Sequence, residues 1–238
     1  MTVLPSPKGI LFDMGNTLLR QVRFDIPKGQ ARLLEIAHNP RNVTIDDYEA
    51  FAGHPDLQEQ WDIRDKALLE LPMTSFDRLV SDSLGLTYDI PIEEVQIEFL
   101  KAAYEAIPEP GIYGALAHLK SLCLPMGAVC NSSFSGRCLA LDFERHGMLD
   151  FFRFIMSSAD YGIRKPHPAI FRAASSKLGI APRDIWFIGD TLGADIAGAL
   201  RTGMTAIWYC PDGEGDAAIT PHAILRHWRD LPGLLSAL

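Results

Sequence analysis

Between residues 112 and 209 the sequence alternates between segments with helical spacing of apolar residues and short, continuous apolar runs. The spacing predicts helices over 112–122, 134–146, 168–178 and 194–202, and strands over 125–130, 152–157, 184–189 and 204–209. Strands joined through helices pair in parallel, because each crossover returns the chain to the same end of the sheet. One more strand comes earlier, in Lys8-Gly9-Ile10-Leu11-Phe12, which runs into Asp13 and the turn-forming Met14-Gly15-Asn16-Thr17. The expected fold class is therefore α/β, with helices on both faces of a parallel sheet.

From about Arg20 to Ile107 the texture changes to helix-period segments with polar faces, best marked over 46–51, 56–71, 75–84 and 92–104. The breaker cluster Ile107-Pro108-Glu109-Pro110-Gly111 ends this stretch. We expect residues 1–19 and 108–238 to form the core, with 20–107 inserted after its first strand as a helical cap. In such sheets ligands bind at the carboxyl ends of the strands, and the cap would lie over them.

Those strand ends carry the candidate chemistry. Asp13 ends the first strand, Cys130-Asn131-Ser132-Ser133 follows the second, Lys165 lies in the loop after the third, and Gly189-Asp190 ends the fourth, with Asp195 one helical turn on. Converging carboxylates repel one another unless a cation intervenes, and an all-oxygen ligand set suits a hard ion such as Mg2+. A lysine beside them can neutralise phosphate charge and keep a nucleophilic carboxylate ionised. Amides at a helix start, here around Asn131 to Ser133, can donate to phosphate oxygens. Ser132 and Ser133 equally suit helix caps, and His167 suits a helix start.

Composition narrows the partners. The 238 residues carry a formal net charge of −8 and no basic run, which disfavours nucleic acid and anionic membrane surfaces. No apolar run approaches the ~20 residues that span a bilayer, and the N-terminal segment does not read as a secretory signal. Cys123, Cys130, Cys138 and Cys210 form no CxxC pair, so a reducing cytoplasm is the expected compartment. Acidity does not exclude a small phosphorylated metabolite, whose binding a few local cations and a metal decide; a monomer or homodimer is expected.

The order Phe12-Asp13-x-x-Asn16-Thr17-Leu18, then strand–Cys130-Asn131-Ser132, then Lys165-Pro166-x-Pro168, then Gly189-Asp190-x4-Asp195-x-x-Gly198-Ala199 resembles the four motifs of the haloacid dehalogenase-like superfamily. The resemblance covers residues 8–19 and 107–238, and the insertion resembles the helical type 1 cap. It implies a Rossmann-like core and a hydrolase that forms an aspartyl-phosphate on Asp13. It further implies that Lys165 steadies Asp13 and the phosphoryl group, and that Cys130, Asn131 and Ser132 surround the phosphate. Asp13, Asp190, Asp195 and the main-chain carbonyl of Gly15 would serve the Mg2+ site.

Two positions depart from the pattern. Gly15 stands where the phosphatases carry an acid–base Asp, a role typically worth ~100- to 10,000-fold in rate. Cys130 replaces the Ser or Thr that donates to phosphate, and a thiol is a weaker donor. Alternatives are therefore a catalytically weak relative that binds a phosphorylated ligand or a protein, and a metal-free 2-haloacid dehalogenase. In the cap, Arg20, Arg23, His38, His54 and Trp61 are candidate substrate contacts, although an arginine leaving the core is more often solvated and an aromatic in a helical domain more often core.

Overall fold

The computed structural model describes residues 4–211, 213 and 219–236; positions 1–3 and 237–238, assigned above to the core, lie outside them. Six parallel strands form the main sheet: β1 Gly9–Phe12, β4 Met126–Cys130, β5 Ile155–Ser157, β6 Ile185–Gly189, β7 Thr205–Tyr209 and β8 Ala223–Leu225. Their spatial order is β5-β4-β1-β6-β7-β8. From β1 the main-sheet path goes outward to β4 and β5, then returns to β6 on the other side. The connections leaving β1 and β6 thus diverge, and a crevice opens at their carboxyl ends.

Alternation along each strand divides the core into two layers. Ile10, Phe12, Met126, Ala128, Trp186 and Ile188 belong to one cluster, and Leu11, Val129, Ile185 and Phe187 to the other. Helices α6 (Ile112–Ser121) and α7 (Gly136–Arg145) cover the first face, and α9 (Pro168–Leu178) and α10 (Ala197–Arg201) the second. Phe12 meets Phe152 edge-on at 5.8 Å, and Phe143 meets the same ring at 5.0 Å. Truncating such a buried ring typically costs about 3–5 kcal/mol.

The insertion holds five helices, α1 Ile26–Ile36, α2 Ile45–Ala52, α3 Pro55–Ala67, α4 Met73–Leu84 and α5 Ile92–Ala103. Starts are capped locally: Thr44 and Asp47 form a reciprocal capping box on α2, and His54 caps α3 ahead of Pro55. Leu33, Tyr48, Val80 and Val95 join the same apolar cluster as the first face of the sheet. The insertion is therefore packed onto the core.

The helical texture expected throughout the insertion fails at its two ends. Residues Leu19–Phe24 (β2) and Tyr104–Pro108 (β3) form an antiparallel ribbon, with a bulge between Gln21 and Arg23. Tyr104, expected in a helix, instead opens β3. Most of β2 is exposed, so burial left no clean alternation to read. Helix 194–202 also differs: a wide π turn, Leu192–Ile196, precedes α10. No helix among the described residues is long and apolar enough to cross a membrane.

Candidate active site

The loop after β1 is held tightly. The Met14 carbonyl accepts from the amides of Thr17, Leu18 and Leu19, and Asn16 takes the left-handed conformation that asparagine tolerates. Behind the loop, the fully buried Trp228 donates through Nε1 to the Thr17 carbonyl at 3.1 Å. Asp13 is anchored by its own amide, which donates to Ile188 O on β6 at 2.9 Å. A carboxylate so placed has little backbone freedom.

Lys165 lies at the centre. Its Nζ is 2.5 Å from Asp13 Oδ1 and 2.7 Å from Asp195 Oδ1, and the residue is 3% exposed. Asn131 supports it from below: Nδ2 donates to Lys165 O at 3.0 Å, and Oδ1 accepts from Lys165 N at 2.8 Å. His167 caps α9 ahead of Pro168, as a helix-start residue.

Asp195 reaches the site because the chain folds back on itself. Its Oδ2 accepts from Thr191 N at 3.0 Å, inside the π turn. A side chain on Gly189 would bring Cβ within 2.5 Å of Asp195 Cγ, so only glycine fits there. Asp190 has Thr191 Oγ1 at 3.3 Å on Oδ1, while Trp208 Nε1 donates to its carbonyl at 2.7 Å.

Charge is tightly concentrated. One oxygen from each of Asp13, Asp190 and Asp195 lies within 4.8 Å of the others. Burial pushes Asp190 up to about 6, helped by the charge on Asp13. Burial also raises Asp195 and, with Asp13, outweighs its pairing with Lys165. For Lys165 burial opposes the ammonium, but the two carboxylates prevail and hold it charged. The Asp195 Oδ1–Lys165 contact is close yet poorly aligned, leaving Oδ1 without a true hydrogen bond. Three acids, one lysine and unsatisfied buried oxygen fit an additional cation. The Gly15 carbonyl, which accepts from no described residue, is a further oxygen donor.

A cavity of about 900 Å3 rises from these groups into the insertion. Met14, Gly15, Asn131 and Ser133 line it, and among the described residues nothing accepts from their amides. The Ser132 amide is already used, donating to Ser158 Oγ at 2.9 Å, and Ser132 Oγ accepts from Phe134 N. Cys130 is buried, and burial together with Asp13 holds its thiol neutral by pushing its pKa far up.

The insertion's contribution differs from expectation. Arg20 faces Glu109, and Arg23 pairs with Asp25 and Glu105; neither lines the cavity. His38 joins Thr87 through backbone bonds, and His54 is a helix cap. Of the five candidates only Trp61 lines the cavity, beside Gln21, Phe24, Tyr104 and Arg64. Arg64 lies over the Trp61 ring at 4.9 Å. Glu70, Arg64 and Asp142 also line the cavity; they sit in helical or linker texture with no motif around them, so no sequence signal marks them.

Similarity to known proteins agrees with this geometry. A glyceraldehyde 3-phosphate phosphatase of Methanopyrus kandleri is 33% identical over 100 residues, 42% of this chain and 42% of that protein. The match thus spans less than half the length of that relative. A phosphatase structure from Thermococcus onnurineus aligns over 96% of this chain and 98% of its own, with 21% identity and a TM-score of 0.63. A 2-haloacid dehalogenase structure from Pseudomonas syringae aligns over 97% and 98%, with 24% identity and the same TM-score. Both show the fold alone. The family profile for a haloacid dehalogenase-like hydrolase matches residues 7–203, motifs and insertion together, and the chain belongs to that family.

Proposed function

We infer that the chain is a Mg2+-dependent phosphohydrolase that acts on a small phosphorylated metabolite through an aspartyl-phosphate on Asp13, in the cytoplasm. The observation that carries this reading is the contact of Asp13 with Lys165 at 2.5 Å, amid two further carboxylates whose oxygens lie within 4.8 Å. Asp13, Asp190 and the Gly15 carbonyl would hold the ion, with Asp195 beside them. When bound, Mg2+ offsets the repulsion between phosphate and carboxylates and polarises the phosphoryl group.

The protein's own groups supply the rest. Lys165 pairs with Asp13 and fixes Oδ1, leaving Oδ2 to attack phosphorus. The amides of Met14, Gly15, Asn131 and Ser133, unpaired among the described residues, would donate to the phosphoryl oxygens. In this role the main chain around Asn131, rather than the Asn131 side chain or the Ser132 amide, contacts the phosphate. A bond forms between Asp13 and phosphorus, the ester P–O bond breaks, and the leaving oxygen takes its proton from water. A second water then hydrolyses the acyl phosphate, releasing inorganic phosphate and restoring Asp13. The insertion, taken as a cap over 20–107, would exclude bulk water during these steps.

Halide displacement needs no additional carboxylates around the nucleophile, so Asp190 and Asp195 favour phosphoryl transfer. Gly15 favours a second reading, a weakly active relative that holds a phosphorylated ligand. Phosphate release from a panel of phosphorylated metabolites, with and without Mg2+, separates them. Release that requires Mg2+ supports the first reading; tight ligand binding without release supports the second.

A further inference from the structure

The seam between insertion and core contains a buried carboxylate with no part in the chemistry above. Glu70 lies in the linker between α3 and α4, and its side chain is fully buried. It accepts from Ser158 Oγ at 2.6 Å, Ser133 Oγ at 3.0 Å, its neighbour Leu71 N at 3.2 Å and Arg64 Nη1 at 3.4 Å. Arg164 Nε stands at 3.9 Å. The first two partners belong to the core and flank the phosphate-side loop.

The main chain on either side of Glu70 is fastened too. Glu70 N donates to Gly162 O at 3.1 Å, Arg164 N to Leu68 O at 3.1 Å, and Met73 N to Ser133 O at 2.7 Å. One short linker thereby grips both the residue before Lys165 and the residue that ends the Asn131–Ser132–Ser133 turn. Ser158 passes the grip inward: its hydroxyl donates to Glu70 and accepts from the Ser132 amide at 2.9 Å. With that amide satisfied, the turn is held with the Asn131 and Ser133 amides left unpaired.

We propose that Glu70 is a positioning residue, converting the seated position of the insertion into alignment of the Asn131–Ser133 amides that receive the phosphoryl group. The proposal rests on the phosphatase reading, because only a phosphoryl ligand gives those amides a task. When the insertion lifts, the carboxylate leaves Ser133 and Ser158 together, and the turn loses two fastenings at once. Binding of the phosphoryl group and seating of the insertion are then coupled, since each favours the same arrangement.

The test titrates inorganic phosphate into the Mg2+-loaded full chain by calorimetry, with Mg2+ binding measured separately. Glu70→Ala is expected to weaken phosphate about tenfold or more, the scale of one lost charge-assisted hydrogen bond. Mg2+ affinity should stay at the wild-type value, because Asp13, Asp190 and Gly15 O lie on other loops. Glu70→Gln, which keeps an acceptor for Ser158 and a partner for Ser133, should restore phosphate affinity to within about threefold. If Glu70→Ala does not fold, Ser158→Ala breaks the same link from the core side and is read the same way. Unchanged phosphate affinity, or equal loss of phosphate and Mg2+ affinity, overturns the positioning role while the phosphatase reading stands. A wild-type protein that binds neither phosphate nor Mg2+ overturns that reading, and this proposal with it.

Discussion

The strand ends and the helical insertion bury carboxylates in opposite ways. At the strand ends Asp13 and Asp195 face the Lys165 ammonium at 2.5 and 2.7 Å, so each of these buried carboxylates has a cation beside it. Inside the insertion Asp77 is 2% exposed, its Oδ2 has no hydrogen-bond partner among the described residues, and burial pushes its pKa up to about 7. Burying an ionised group alone is so costly that the group takes a proton instead. The difference separates a region organised around fixed charge from one organised around packing. Glu70 lies between them, buried like Asp77 but satisfied like Asp13.

The sharpest way to break this contrast is at Asp13. Asp13→Asn should lower turnover on the order of 10,000-fold or more with an unchanged circular dichroism spectrum; a folded variant of near-normal activity would end the covalent mechanism. Chelation should come next, abolishing phosphate release until Mg2+ is restored, and Asp190→Ala should lose calorimetric Mg2+ binding. Full activity in excess chelator would instead call for a halide-release assay.

Asp77 tests the insertion's side. Its folded pKa near 7 lies above the usual 3.8, so between those values the unfolded chain binds fewer protons and stability falls as pH rises. The contribution is intact below about pH 4 and lost by about pH 8, a difference on the order of 4 kcal/mol at 1.36 kcal/mol per unit. Denaturation of wild type and Asp77→Asn at both pH values should show the variant losing less; parallel losses would mean that Asp77 has a partner for its charge.

Gly15 sharpens the strand-end half of the contrast. A Cβ there meets nothing within 4 Å, so the backbone leaves room to start the side chain of Gly15→Asp. It should raise turnover of alkyl phosphates, which need a proton on the leaving oxygen, by about tenfold or more, and of aryl phosphates less. If wild type already handles both equally, another group supplies the proton. The smallest effect belongs to the cavity wall: Trp61→Ala should change relative rates across leaving groups about severalfold, while Arg20→Ala and Arg23→Ala leave them alone.

The core was legible because each of its constraints is local. β1 is fully buried and reads as a continuous apolar run, and Gly189 is dictated by the approach of Asp195 five residues after Asp190. The ribbon was not legible, since β2 is mostly exposed and its partner lies some 80 residues away, where α5 runs directly into Tyr104. Arg20 and Arg23 follow the commoner reading of cationic residues leaving the core, finding carboxylates on the ribbon and its flanks. Glu70 had no sequence signal, because its partners Ser133 and Ser158 are 63 and 88 positions distant.

The ribbon bears on how such a chain can be rebuilt. The path leaves the core at Leu19 and comes back at Pro108, and these two residues are paired neighbours in the ladder. An excursion whose ends already touch asks the host for no reach, only for a turn. If the 88 residues from 20 to 107 form a cap, a longer or shorter segment could be joined at one junction, provided it covers the apolar face that Leu33, Tyr48, Val80 and Val95 now meet. Asp13, Lys165, Asp190 and Asp195 all lie outside that stretch, whereas Glu70 lies within it, so a grafted replacement would have to bring its own hold on Ser133 and Ser158.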